Sequence, residues 1–151
     1  MNFGLSKKMQ IVFFVLIICA VIGLLDTVYL TIKHYEGAPV VCGLFDRCDI
    51  VTTSKYSTIF GFPISLLGAI YYFLILILID IYLFFKIKFI PKIALAISTL
   101  SFLFSVWLVY LQLFILKSIC PYCMLSATTS TIIFGLLIFI NYKSRIANSI
   151  T

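Results

Sequence analysis

Four long apolar segments dominate the sequence and restrict it to one kind of fold. They run over about residues 9–32, 63–85, 91–116 and 120–140. About 20 predominantly apolar residues in a helix cross the roughly 30 Å hydrocarbon core of a bilayer, and each segment reaches that length. Only 11% of the residues are charged, against about 25% in a typical soluble protein. The sequence therefore predicts an all-α membrane protein, a bundle of four transmembrane helices.

Most basic residues lie close to the ends of the apolar segments, which predicts the orientation of the chain. The amino terminus, the second connection and the tail hold seven of them: Lys7, Lys8, Lys86, Lys88, Lys92, Lys143 and Arg145. The first and third connections hold the other four: Lys33, Arg47, Lys55 and Lys117. Because Lys and Arg accumulate in cytoplasmic loops, both termini are predicted to be cytoplasmic, in a multi-pass protein of the cell membrane. No basic stripe indicates nucleic-acid binding.

The chain is interpreted as one domain over residues 1–151. The first apolar segment continues past Asp26 to Ile32 without a clear cleavage site, which favours a retained span over a signal peptide. Pro91 suits the start of the third helix, where its missing N–H is not needed.

Four of the five cysteines fall on the same predicted side of the membrane. Cys42 and Cys48 lie in the long first connection. Cys120 and Cys123 form a C-x-x-C motif, within "KSICPYCMLS", at the start of the fourth segment. Disulfides persist outside the cytoplasm, which is where the predicted topology puts both connections. Cys19 lies within the first segment and is interpreted as a small core residue.

The start of a helix is a favourable position for a reactive thiol. Unpaired backbone N–H groups and the helix dipole stabilise a thiolate there. Pro121 suits the first helical position, so Cys120 is predicted to cap the helix and Cys123 to lie one turn inside, nearer the bilayer. We expect the outer cysteine to meet another protein thiol and the inner one a lipid-soluble molecule.

Three other interpretations of the cysteines compete with a redox function. A structural zinc site commonly uses paired C-x(2–4)-C motifs, and the C-x5-C spacing of Cys42 and Cys48 fits that poorly. Two inert disulfides would explain both pairs, but a C-x-x-C disulfide closes so small a loop that it stabilises little. A soluble thioredoxin-like domain would need a βαβ pattern around the motif, which the sequence lacks. Thiol–disulfide exchange is favoured, and no metal is expected.

These motifs, in this order, resemble the vitamin K epoxide reductase family, most closely its prokaryotic disulfide-forming members, the functional analogues of DsbB. The matching features are "GLLDTVYLTIKHY" (23–35), "CGLFDRCDIVTTSKYSTIFGFPISLLGAIYY" (42–72) and C-P-Y-C, within about residues 9–140. The resemblance implies a four-helix bundle that holds a quinone, ubiquinone or menaquinone, near the extracytoplasmic surface. A long first loop with a short surface helix would cap it.

The resemblance also implies a role for each cysteine of the two pairs. Cys42 would react with an incoming reduced protein, and Cys48 would pass the electrons to Cys120. Cys120 would be the disulfide partner of Cys123, which would deliver the electrons to the quinone through a transient thiolate–quinone adduct. Ser54 matches a Ser/Thr of the family's loop whose hydroxyl supports the active cysteines.

The sequence departs from the family pattern in two ways. Many bacterial relatives carry a fused thioredoxin-like domain, whereas this sequence ends at Thr151, so we expect the electron donor to be a separate thioredoxin-fold (DsbA-like) protein. The animal enzymes have a tyrosine four residues after the last cysteine, where this sequence has Ala127. This difference weakens the case for vitamin K epoxide as the natural substrate.

The predicted function is that of a membrane thiol oxidase that supports disulfide-bond formation. Two alternatives remain. One is a quinone or vitamin K epoxide reductase that uses the same relay. The other is a non-enzymatic tetraspan scaffold or transporter subunit with structural disulfides.

Further residues near the predicted site have two interpretations each. Asp26 is either a functional intramembrane acid or an interfacial or hydrogen-bonded structural residue. His34 is either a proton relay to the reduced quinone or a solvated residue at a helix end. Six aromatic residues either line a quinone pocket or pack the helices and face lipid: Phe60, Phe62, Tyr71, Tyr72, Trp107 and Tyr110.

Overall fold

A computed structural model describes residues 7–37, 57–59 and 61–149. These residues form four long helices and a short hairpin: α1 (Lys7–Glu36), β1 (Thr58–Ile59), β2 (Phe62–Pro63), α2 (Ile64–Phe85), α3 (Ile90–Tyr110) and α4 (Pro121–Ser149). At its end α3 passes into a π-helical turn, Leu111–Ile115. The predicted surface helix, Cys42, Cys48, Ser54 and Phe60 all lie outside the described residues.

The prediction of a four-helix membrane bundle is confirmed. Each of the four helices is long and apolar enough to cross a bilayer, and many of their large apolar side chains are exposed, as lipid contact requires. The ends of α1, α2 and α3 lie close to the predicted spans. The fourth helix continues past the predicted end at 140 to Ser149, because hydropathy marks where the apolar stretch ends and not where the helix ends.

The helices pack in a ring in which α1 and α3 each contact both α2 and α4. Glycines allow the close approach of α1 to α2. A Cβ atom on Gly23 would collide with the ring of Tyr72, and one on Gly68 would lie 2.8 Å from the side chain of Thr27. Small residues at such crossings are the usual means of helix contact in membranes.

One half of the bundle, which we call the apolar half, has a continuous apolar core. It contains the start of α1, the end of α2, the start of α3 and the later part of α4, with core residues Leu16, Ile75, Ile79, Ile133, Leu137 and Ile140. The Asn141 side-chain amide donates to the Pro91 carbonyl at 2.9 Å and joins α4 to α3. This half fixes the helices relative to one another.

The opposite half, which we call the cysteine half, contains the end of α1, the start of α2, the end of α3 and the start of α4. The hairpin lies at this end, with Thr58 paired to Pro63 and a turn through Gly61 at φ 82°. The Ile64 N–H donates to the Ser57 carbonyl at 2.9 Å. The last residues of the first connection are thereby fixed to the first turn of α2.

Candidate active site

Cys120 caps the amino terminus of α4. Its carbonyl accepts the Met124 N–H at 3.0 Å, and its Sγ accepts the Cys123 N–H at 3.5 Å. This is the bonding pattern of an N-cap residue, whose side chain satisfies the N–H of the third helical residue. Pro121 occupies the first helical position, as the sequence predicts. Both cysteines are free thiols in the structure.

The surroundings of Cys120 favour its thiolate. A hydrogen bond from the side chain of Cys123 lowers the pKa of the Cys120 thiol. Burial opposes this effect, and the backbone N–H groups of Cys123 and Tyr122 add to it, so the pKa is lowered on balance. The thiolate is the nucleophile in thiol–disulfide exchange. The protein therefore promotes ionisation at the capping cysteine.

The two thiols have different surroundings. Cys120 is fully buried and packs in a cluster with Leu30, Tyr29, Leu116 and Tyr122. Cys123 is partly exposed and lines a cavity. The sequence predicts that the outer cysteine is accessible to another protein thiol, but these side chains, from α1 and from the residues on either side of Cys120, cover it. A thiol from outside the bundle reaches Cys120 only when this cover moves.

Gln112 connects the end of α3 to the dithiol. It lies in the π-helical turn, where the Leu116 N–H bonds to the Leu111 carbonyl at 2.9 Å. The carbonyl of Gln112 accepts the Ser118 N–H at 3.1 Å, and its side-chain Oε1 accepts the Cys120 N–H at 3.1 Å. A backbone N–H at the start of a helix has no partner within that helix. Gln112 supplies this partner and holds Cys120 against α3.

A cavity of about 480 Å³ lies between the helices of the cysteine half, and its lining comes from all four of them. Its wall is mostly apolar, with a few polar groups. Cavities of about 300–1,000 Å³ with this character are typical ligand sites. Cys123 lines the cavity and Cys120 does not. A ligand in the cavity would therefore meet only one thiol of the pair.

Hydroxyl groups supply most of the polar atoms at this level of the bundle. The hydroxyls of Ser101 on α3 and Ser130 on α4 are 3.0 Å apart. The Tyr72 hydroxyl donates to the Ser126 carbonyl at 2.7 Å and lies 2.8 Å from Thr129 Oγ1. These bonds connect α2, α3 and α4 around the cavity.

Sequence reasoning missed Gln112 and the serines of the cavity wall. The serines carry a recognisable signal, because residues three or four apart share one face of a helix. Ser101 and Ser105 follow this spacing on α3. Cys123, Ser126 and Ser130 follow it on α4. Gln112 has no comparable signal, because its contact with Cys120 depends on the π-helical turn.

Some of the other candidate residues line the cavity and others do not. Tyr71, Tyr72 and His34 line the cavity, and so does Ala127. Among the described lining residues, three of the proposed aromatics are absent: Phe62, Trp107 and Tyr110. Cys19 lies in the core of the apolar half, as predicted. The roles predicted for Cys42, Cys48 and Ser54 stay predictions.

Asp26 is buried, with 7% of its side chain exposed. Neither carboxyl oxygen has a hydrogen-bond partner in the described part of the chain. The structural interpretation of this residue required such a partner or an interfacial position. The hydrogen-bonded structural interpretation therefore finds no support among the described residues.

The fold and the site define a class: a multi-pass membrane oxidoreductase with a dithiol beside a ligand cavity. The model of the vitamin K epoxide reductase family matches residues 14–138, so the chain belongs to this family. No curated protein shows significant similarity to the chain. Members of the family act with quinones, and membership supports a redox function linked to disulfides. It argues against a non-enzymatic scaffold or transporter subunit.

Proposed function

We propose that the protein is a membrane thiol oxidase. It accepts electrons from a reduced thioredoxin-fold (DsbA-like) protein through Cys42 and Cys48, and passes them through Cys120 and Cys123 to ubiquinone or menaquinone. The products are an oxidised partner, which supports disulfide-bond formation, and a quinol. Both termini are cytoplasmic and the cysteine half faces the other side of the membrane, in agreement with the distribution of Lys and Arg.

One observation carries the proposal: only one thiol of the pair lines the cavity. Cys123 can react with an acceptor bound there. Cys120 is buried, and its Sγ atom lies 3.5 Å from the backbone nitrogen of Cys123. Disulfide exchange needs a thiolate that attacks the partner sulfur. The lowered pKa of Cys120 supports that role. The arrangement supports different tasks for the two cysteines.

The residues of the cavity fit a quinone. Its apolar wall suits the ring, and the hydroxyls of Ser101, Ser126 and Ser130 are donors for carbonyl oxygens. A quinone supplies a two-electron acceptor within the lipid phase. For a two-electron couple a difference of about 30 mV is worth about 1.4 kcal/mol, so a quinone of higher potential than the dithiol drives the transfer.

Quinone absorbance tests the proposal on the full chain in lipid nanodiscs, with a chemical dithiol as reductant and a short-chain quinone as acceptor. Cys120→Ala and Cys123→Ala should each lower the rate to the uncatalysed background, because one thiol cannot form the intramolecular disulfide. Full activity in either variant would disprove the relay.

A complementation experiment tests the physiological direction. A bacterium that lacks its disulfide-forming membrane oxidase should recover disulfide formation when it expresses the wild-type chain. It should not recover with Cys123→Ala. Failure of the wild-type chain, with the protein present in the membrane and active on quinone, would favour the reductase alternative.

A further inference from the structure

Asp26 is a buried acid that the relay does not use. It has no hydrogen-bond partner within the described residues, whereas Asp80, an acid near the end of α2, is exposed. Leaving a buried polar group unpaired costs about 1–3 kcal/mol, and an isolated buried charge costs more. Asp26 therefore reduces stability, and within the described residues no other buried side-chain N or O atom lacks a hydrogen-bond partner. An intramembrane acid of this kind is a candidate for chemistry.

The position of Asp26 relates it to the dithiol. Leu30 is four residues further along α1, on the same face, and packs in a cluster with Cys120. The ring of the neighbouring Tyr29 lies 5.3 Å from that of Tyr122 at the start of α4. Asp26 thus lies about one helical turn deeper than the contact between α1 and the cysteine pair.

The charge of Asp26 acts on titratable groups from both helices that pack against α1. These groups are Tyr72 on α2 and, around the start of α4, Cys120, Tyr122 and Cys123. Its carboxylate raises the pKa of the Cys120 thiol, because like charges repel. A carboxylate on Asp26 and a thiolate on Cys120 therefore destabilise each other. The site favours one negative charge over two.

We propose that Asp26 holds one proton for the dithiol and exchanges it in step with the oxidation state of Cys120 and Cys123. The inference rests on the proposed thiol oxidase function. In the reduced protein Cys120 is a thiolate, Cys123 is a thiol and Asp26 is protonated. Oxidation forms the bond between the two sulfur atoms and transfers two electrons to a quinone. One proton comes from Cys123 and one from Asp26, which gives a quinol and leaves Asp26 as a carboxylate.

The return step balances in the same way. An incoming dithiol supplies two electrons and two protons and becomes a disulfide. The bond between Cys120 and Cys123 breaks, Cys123 takes one proton, Asp26 takes the other, and Cys120 regains the thiolate. The net charge of the buried site is the same in both states. This constancy avoids the large free-energy cost of adding a second charge to a buried site.

Redox-difference infrared spectroscopy tests the proposal without quinone. The full chain is purified in nanodiscs, freed of quinone, oxidised, and then reduced with a chemical dithiol. Reduction should produce the C=O stretching band of a protonated carboxylic acid in the wild type and in the matched control Asp80→Asn. The band should be absent from Asp26→Asn, and from Cys120→Ser, which cannot form the disulfide.

Two spectroscopic results would overturn the proposal: a wild type without the band, or a band that persists in Asp26→Asn or Cys120→Ser. If Asp26→Asn fails to fold, the wild-type spectrum by itself still tests the proposal. Asp26→Glu keeps the acid and should retain a redox-linked band at a shifted frequency. A merely structural role for Asp26 would produce no redox-linked band.

Quinone reduction by the same variants distinguishes this inference from the proposed function. Asp26→Asn should slow turnover about a hundredfold, the size expected for loss of a positioned proton donor, with an unchanged KM for quinone. Asp26→Glu should restore part of the rate.

Quinone reduction in a wild type without the band would reject the proton exchange alone. A wild type with the band but without quinone reduction would reject the thiol oxidase function alone. Wild-type turnover in Asp26→Asn would contradict the inference.

Discussion

The two halves of the bundle are built from the same four helices but are packed differently. In the apolar half, Leu16, Ile75 and Ile133 are buried completely in a continuous core. In the cysteine half the helices surround a cavity of about 480 Å³ and bury an acid that has no hydrogen-bond partner among the described residues. The apolar half therefore provides stability. The cysteine half can keep features that reduce stability because its helices are already held in place.

The backbone of the cysteine half contains an irregular segment at the end of α3. There α3 changes into a π-helical turn, whereas the left-handed conformation occurs in both halves, at Lys117 (φ 47°) and at Lys86 (φ 50°). Turns of the π type within helices are frequent at functional sites. Here the turn brings Gln112 to the dithiol. Irregular backbone in this half is thus linked to the position of a reactive group.

Apart from substitutions of the two cysteines and Asp26, the largest effect in this comparison is expected from Gln112→Leu. The substitution keeps the approximate size of the side chain but removes the acceptor of the buried Cys120 N–H. An unsatisfied buried N–H costs about 1–3 kcal/mol. Since the lost bond holds the reactive thiol, dithiol-driven quinone reduction should fall about tenfold or more. Initial rates and thermal unfolding of the same preparation measure both effects.

Gln112→Glu is the matched control, because it retains an oxygen acceptor at the same position. It should keep a much larger share of the wild-type rate than Gln112→Leu does. Equal losses in the two variants would mean that the bond to Cys120 is not the property that matters. The link between the π-helical turn and the reactivity of the dithiol would then have to be abandoned.

A smaller effect is expected when one alanine in each half is replaced by phenylalanine. Ala127 lines the cavity, whereas Ala20 is fully buried in the apolar half. Ala127→Phe should raise the KM for quinone about tenfold, a loss of about 1.4 kcal/mol in binding, and leave the unfolding temperature nearly unchanged. Ala20→Phe should lower stability by about 1–3 kcal/mol, because a packed core has no room for the ring.

Quinone titrations and thermal unfolding of both phenylalanine variants test this contrast. If Ala127→Phe is the less stable of the two, the cavity is not open space in the membrane-embedded protein. If both variants bind quinone as the wild type does, the acceptor binds elsewhere. Either result would remove the distinction between the two halves.

The sequence predicts the fold more completely than the site, because the two depend on different information. Hydropathy over about 20 residues is enough to identify a transmembrane helix, and Pro121 marks the start of α4 in the sequence itself. The cysteine pair is likewise visible as a C-x-x-C motif. These features are local, so they can be read without knowing how the helices pack.

The features that the sequence does not reveal depend on contacts between helices. The burial of Cys120 depends in part on side chains of α1, which lies about ninety residues earlier in the chain. Gln112 reaches Cys120 only because the turn after α3 is widened. The absence of a hydrogen-bond partner for Asp26 among the described residues depends on its surroundings in the bundle. No local pattern records any of these contacts.

The smallest effect is expected from Cys19→Ala, the same chemical change as Cys120→Ala but in the apolar half. Cys19 is buried in the apolar core, away from the dithiol cluster. The substitution removes one sulfur atom from a packed core and should lower stability by about 1 kcal/mol. Quinone turnover should stay within about twofold of wild type, since about 0.4 kcal/mol corresponds to that ratio. Stopped-flow rates for the two alanine variants, measured side by side, provide the test. A severe loss of turnover in Cys19→Ala would mean that a thiol of the apolar half takes part in electron transfer, and chemistry would then no longer be confined to one half of the bundle.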